Sequence, residues 1–239
     1  MSTPATAAVL IIGNEILSGK TRDANLKFLG EALGRLGIDL IEARVIRDVP
    51  ETIAAVVNEL RSAHTWVFTT GGIGPTHDDL TAESVARAFG LPLVVHEEAA
   101  RRISAGRREL TPARLKMAKV PEGATLVDNP VSQAPGFRIE NVFVLAGIPA
   151  IAQAMFASIE HEIAGGDPIL SDNVDLYARE GDFAAELEAI AERHPNVEIG
   201  SYPFSRGGRF GANIVVRSRE QASLNLAIAE IRSKLVPKD

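Results

Sequence analysis

Short, continuous apolar runs rich in β-branched residues recur along this chain, and each is followed by a stretch with helical periodicity. The runs lie at residues 9–12, 40–46, 66–69 and 142–145, with the length and texture of strands buried on both faces. Between them, Leu26, Leu29, Leu33 and Leu36 repeat at helical spacing. Ile53, Val56, Val57 and Leu60 do the same behind Pro50, a residue favoured in a first helical turn. This alternation predicts an α/β fold, a parallel sheet with helices on both faces. In open sheets of that kind ligands sit beyond the carboxyl ends of the strands, which directs attention to the loops after residues 12, 46, 69 and 145.

The texture changes at Gly165-Gly166-Asp167-Pro168. Beyond it the pattern predicts a strand at 174–178, a helix at 182–193, strands at 197–202 and 212–217, and a helix at 221–235. The expected organisation is therefore a main domain over residues 1–165 and a small α+β subdomain over 170–239. The charge-poor stretch 142–159 is punctuated by Gly147 and Pro149, so it reads as strand, turn and helix rather than a membrane span.

Composition narrows the chemistry. The 239 residues include 25 Lys+Arg against 31 Asp+Glu, and the basic residues are scattered rather than striped, so nucleic acid is not an expected partner. Cysteine is absent and the five histidines are dispersed, which disfavours zinc but leaves room for a hard cation held by carboxylates. The early apolar run at 7–12 is too short for a signal peptide, and the expected location is the cytoplasm, with no membrane partner.

The loop with most chemistry in it is Gly71-Gly72-Ile73-Gly74-Pro75-Thr76-His77-Asp78-Asp79-Leu80-Thr81, directly after the run at 66–69. Its glycines allow a tight turn and close approach to a ligand, and a helix begun at Asp79 or Thr81 would offer unpaired N–H groups to an anion. It has neither the Gly-Lys-Ser/Thr of a Walker loop nor the Gly-x-Gly-x-x-Gly dinucleotide spacing. For a bare Gly-Gly-x-Gly, a glycine turn with Asp79 as helix cap is the plainer reading. Two adjacent acids beside an anion site fit better as holders of a divalent cation that bridges phosphate oxygens.

The segment 71–81 resembles the Gly-Gly-x-Gly-Pro-Thr-x-Asp-Asp-x-Thr signature of the molybdopterin-binding superfamily, in the branch containing the N-terminal domain of competence/damage-inducible protein A. It is also similar to the molybdopterin-binding-like domain attached to eukaryotic FAD synthases. Gly13-Asn14-Glu15-Ile16-Leu17, Asp23-x-Asn25, Pro121-Glu122-Gly123-Ala124, Asn129-Pro130 and Ala134-Pro135-Gly136-Phe137 follow the family's order. The resemblance implies a three-layer αβα fold with a mostly parallel sheet. It implies Asp48 and Asp79 as catalytic residues, and Glu15, Asp78 and Asp79 as metal ligands. Gly13, Asn14, Ser18, Gly71, Gly72, Gly74, Pro75, Thr76 and Thr81 are the expected phosphate-binding set. Taken alone, Asp48 lies just beyond the second strand, where it could face the crevice or cap the helix behind Pro50. Two departures stand out: Ser132-Gln133 replaces Gly-Thr, and Ala150-Ile151 removes the serine and glutamate of the late loop. Lys116 and Lys119 are candidates for compensating positive charge.

The implied ligand is a small-molecule nucleotide or pterin phosphate, and the implied cofactor is a divalent metal such as Mg2+, Mn2+ or Co2+. The leading expectation is a metal-dependent nucleotide pyrophosphatase of the ADP-ribose or FAD type. Molybdopterin binding with adenylyl transfer, and a catalytically silent binding module, are the alternatives. Relatives oligomerise, so a homo-oligomer, dimer or trimer, is expected. Neither an amidohydrolase domain nor an FAD-forming domain is expected within these residues.

Overall fold

A computed structural model describes residues 4–105, 110–163 and 165–236. The chain forms two compact units, one of Met1–Leu33 with Ile38–Gly166 and one of Gly34–Gly37 with Asp167–Asp239.

The first unit opens with β1 (Thr6–Ile12), α1 (Asn14–Leu17), α2 (Asn25–Arg35), β2 (Asp39–Ile46), α3 (Pro50–Ala63), β3 (Trp66–Thr70) and α4 (Thr81–Phe89). A small excursion follows: β4 (Leu93–Val95), α5 (Glu97–Ser104), α6 (Pro112–Lys116) and β5 (Lys119–Pro121), with β4 and β5 paired antiparallel. The unit closes with β6 (Thr125–Val127), β7 (Gly136–Ile139), β8 (Val142–Leu145) and α7 (Pro149–Ile159).

Strands β2-β1-β3-β8-β7-β6 form one sheet in that order. The first four run parallel, as the apolar runs predict, whereas β7 and β6 are antiparallel. Residues Glu140 and Asn141 alone separate β7 from β8, and a two-residue link can join only antiparallel neighbours. Glu140 takes a positive φ of 48° there, a conformation its residue type does not advertise, so the hairpin is not visible in the pattern of the sequence.

Strand β1 is the centre of the core, with Ala7 to Ile12 all buried. On one face Ala8, Leu10 and Ile12 join Ile53, Val57 and Leu60 of α3 and Val85 of α4. On the other, Phe68 stacks on Phe143 at 5.2 Å, while Phe156 of α7 meets Phe28 of α2 edge-on at 5.6 Å. Each fully buried Leu or Phe contributes roughly 1.5–3 kcal/mol, so both helical layers are held against the sheet by several such side chains.

The second unit contains β9 (Leu170–Leu176), α8 (Glu180–Arg193), β10 (Glu198–Arg206), β11 (Arg209–Ser218) and α9 (Gln221–Leu235). Its sheet order is β10-β11-β9, all antiparallel. Phe183 and Ile190 of α8 and Leu224, Ile228 and Ile231 of α9 cover Leu176, Ile214 and Val216. The Gly207-Gly208 turn joins β10 to β11, with Arg206 opposite Arg209. No helix among the described residues is long and apolar enough to cross a membrane.

Candidate functional site

Because β1, β2, β3 and β8 are parallel, the loops that follow them open at one end of the sheet. Two of them touch. At Gly71, with φ 102°, an added Cβ would lie 2.2 Å from the Ile12 carbonyl oxygen; one on Gly147 would lie 3.2 Å from the Gly71 Cα. The end of β1, the glycine loop after β3 and the loop after β8 are thus packed backbone on backbone. The Gly71 amide donates to the Leu145 carbonyl at 3.2 Å.

The turn itself is built by polar groups turned inward. Thr81 is fully buried; its hydroxyl donates to the Gly71 carbonyl at 2.9 Å and its amide to the Gly72 carbonyl at 3.0 Å. An added Cβ on Gly72, φ 68°, would meet the Thr81 Oγ1 at 2.2 Å. Thr81, one of the expected phosphate-binding set, therefore shapes the loop from inside, with its hydroxyl turned to Gly71. Helix α4 starts behind Leu80 without a side-chain cap, so neither Asp79 nor Thr81 caps it, because both are engaged elsewhere.

Asp79 closes the loop on itself. Its Oδ2 accepts from the Thr76 amide at 2.7 Å and lies 2.6 Å from the Thr76 hydroxyl. The same hydroxyl is 2.6 Å from the Asp78 Oδ1, so a single proton is shared between two carboxylates. The Thr76 hydrogen bond first, then the Asp78 backbone amide and the charges of His77 and Lys116, hold the Asp78 carboxyl below the usual range. Lys116 donates to the Thr76 carbonyl, so of the two lysines considered, this one reaches the loop. The amides of Gly72, Ile73 and Gly74 have no acceptor among the described residues. Pro75, Thr76, His77 and Asp78 are exposed, and Asp79 is half-buried.

The first loop brings in Asp48. Its Oδ2 accepts from the Asn14 amide at 2.9 Å, and α3 begins behind Val49 with no side-chain cap. Asp48 therefore faces the loop after β1 rather than capping the helix. The Glu15 carboxylate folds back over the buried Gly13, within 2.6 Å of where a Cβ would stand. Ser18 is exposed and donates to the Glu15 carbonyl at 3.2 Å. Among the described residues no three His, Asp or Glu side chains converge into a set able to hold a metal ion. Glu15 thus does not gather with both Asp78 and Asp79 into such a set.

One residue outside the expected set belongs here. Asn25 is 4 % exposed; its Nδ2 donates to the Gly147 carbonyl at 2.8 Å and its Oδ1 has no partner among the described residues. Asp23 caps the start of α2, accepting from the Leu26 amide at 2.9 Å. The signal was the Asp23-x-Asn25 spacing, which marks a helix start in the sequence but says nothing of which carbonyl the amide will find.

Comparison with known proteins places this arrangement. Residues 8–164 match the family model described as "Probable molybdopterin binding domain", and residues 168–239 that described as "FAD synthase, middle domain". A protein of Archaeoglobus fulgidus is 35 % identical over 82 % of this chain and 84 % of its own length. A protein of Caenorhabditis briggsae named "Probable FAD synthase" is 29 % identical over 97 % of this chain, which spans only 50 % of that relative. The crystal structure of the protein CinA, of unknown function, from Thermoplasma acidophilum superimposes with TM-score 0.64 at 34 % identity, covering 67 % of this chain and 99 % of that one. Since the match runs from β1 through α7 and takes in every loop described above, the chain belongs to the molybdopterin-binding domain family.

Proposed function

We propose that the loop 71–81 binds the phosphates of a nucleotide or pterin, and that with a divalent cation the protein hydrolyses a nucleotide pyrophosphate of the ADP-ribose or FAD type. The observation that carries the reading is the Asp78–Asp79 pair, gathered on Thr76 beside amides of Gly72, Ile73 and Gly74 that have no acceptor among the described residues. Open amides at a tight turn suit phosphate oxygens. A Mg2+-like ion is commonly held by one or two carboxylates together with substrate phosphates and water, and the pair fits that role. Such a cation would polarise a phosphoryl oxygen.

The chain's own residues divide the remaining work. Asp79 holds the loop in its open-amide shape through Thr76, and Lys116 fixes the same residue from the other side. Asp48 uses one oxygen on Asn14, which leaves the other to orient a water or accept its proton. Asn14, Glu15 and Ser18 line the approach from β1. A second reading, molybdopterin binding or adenylyl transfer, is favoured by the family match itself.

The test is incubation with ADP-ribose, FAD, NAD and ATP under Mg2+, Mn2+ or Co2+, with products separated by chromatography. Asp79→Asn keeps an acceptor for the Thr76 amide while removing the charge, so turnover should fall at least about 100-fold with the circular dichroism spectrum unchanged. Undiminished turnover in that variant removes the proposed role. ATP-dependent adenylylation of molybdopterin, with no pyrophosphate hydrolysis, decides for the second reading.

A further inference from the structure

Strand β2 is the outermost strand of the main sheet, paired only with β1 among the described residues. Such an edge leaves main-chain donors and acceptors open, and folded proteins usually blunt it with charged side chains, lysine above all, with proline, a bulge or a short strand. Residues 41–46 contain neither lysine nor proline. A bulge lies opposite Ala7 and Ala8, with Ile41 as its extra residue, and from Glu42 to Ile46 the pairing with β1 is regular.

Side chains on this strand alternate sharply. Ile41 and Val45 are 59 % and 39 % exposed and Ala43 between them is exposed, all large or small apolar groups left in solvent. Glu42 and Arg44 lie on the opposite face, 2.9 Å apart, with Arg44 reaching Glu59 of α3 and Glu42 meeting His64 at 3.0 Å. The Ile46 carbonyl accepts from the Gly13 amide, so the main-chain groups of Ile46 point toward β1. Two-residue alternation turns those of Glu42 and Arg44 the same way and those of Ala43 and Val45 toward the open edge.

The order Ile41-Glu42-Ala43-Arg44-Val45 reads the same in both directions by chemical class. We propose that β2 is an interface for a second copy of this chain, paired antiparallel about a two-fold axis at Ala43. In that register Ala43 faces its own copy and exchanges both main-chain hydrogen bonds with it. Glu42 faces the second copy's Arg44 in the closer, non-hydrogen-bonded type of pair, where opposite charges are favourable. Ile41 faces the second copy's Val45, so the exposed apolar groups of the two strands adjoin on one face. No other register aligns acid with base and apolar with apolar at every position: a shift by two residues sets Arg44 against its own copy or Glu42 against its own copy. The assembly is closed, because pairing uses the open edge of β2 in both copies. This inference is independent of what the glycine loop binds.

The experiment is sedimentation of the full chain across its soluble concentration range. The expected species has twice the 25.5 kDa chain mass. Ala43→Lys places like charges face to face at an exposed position, and should weaken association at least about tenfold without altering the circular dichroism spectrum. Arg44→Glu should also dissociate the pair, and adding Glu42→Arg should restore it, since the double variant is again self-complementary. The chain has no cysteine, so Ala43→Cys introduces one thiol opposite itself, at a Cα separation of about 5.5 Å that a disulfide can span. On mild oxidation it should cross-link roughly tenfold faster than the exposed control Gln153→Cys. A chain that stays monomeric at every concentration, a trimer, or a dimer untouched by Ala43→Lys overturns the proposal.

Discussion

Two glycine doublets in this molecule, Gly71-Gly72 and Gly207-Gly208, look alike in sequence and in backbone dihedrals, yet they are there for different reasons. All four residues have positive φ. At Gly71 and Gly72 an added Cβ would strike the Ile12 carbonyl and the Thr81 hydroxyl, each at 2.2 Å, whereas at Gly207 and Gly208 nothing lies within 4 Å. The second doublet only needs the dihedrals that a tight hairpin turn demands. The first also needs the space, because the loops after β3 and β8 crowd against the end of β1. Charge follows the same division. In the second unit Glu230 is bound by Arg193 and His194, and Asp175 by Arg206. Asp48 and Asp79 accept from backbone amides, Asp79 also contacting the Thr76 hydroxyl, and neither has a salt bridge among the described residues. At the proposed site, glycines under steric compression stand beside carboxylates without arginines; in the second unit, relaxed glycines stand among neutralised acids.

Substitutions can break or sharpen this contrast. Gly71→Ala carries the largest expected effect, because the obstructing atom is backbone of β1 and the dihedral is unfavourable as well. Unfolding in urea should show a loss of about 3 kcal/mol or more, accompanied by loss of the proposed nucleotide binding. Gly207→Ala meets no obstruction and should lose only about 1 kcal/mol, from its dihedral alone, with nucleotide binding unchanged. Equal losses at the two positions would erase the distinction drawn between them.

The smallest effect concerns charge in the second unit. His194 first, then Arg193, holds the Glu230 carboxyl below its ordinary value. A carboxyl depressed in the folded state adds stability that is complete above the unfolded value and is lost as pH falls through the folded one. The urea midpoints of the native chain and of Glu230→Gln should therefore differ slightly near neutral pH and converge in acid. A gap that widens in acid would contradict the assigned pairing.

Much of the fold was legible because its signals are local. The four parallel strands announce themselves as apolar runs, and the helices that flank them as periodic leucines and isoleucines. The final helix, Gln221–Leu235, coincides with its expected bounds. What escaped were features decided by tertiary context. The β6–β7–β8 reversal hangs on a glutamate with positive φ, and the small α5–α6 excursion lacks a long period. Within the site, sequence order put Asp48, Asp79 and the glycines in adjoining loops. It could not tell that the Thr81 hydroxyl would turn inward to Gly71, or that Asn25 would reach across 122 positions to the Gly147 carbonyl. Hydrogen-bond partners so far apart in the chain are fixed by packing, and no spacing rule encodes them.

The contact between Gly71 and Gly147 also bears on how such a protein can change over generations. The two residues come from different loops, yet a Cβ on Gly147 would lie 3.2 Å from the Gly71 Cα, while Gly71 is itself confined by the Ile12 carbonyl. Neither position accepts a side chain without a shift of its neighbour, whereas Ala150 and Ile151, on the first turn of α7, already carry side chains. The side chains that begin α7 can therefore be exchanged while the two glycines keep the loops packed together.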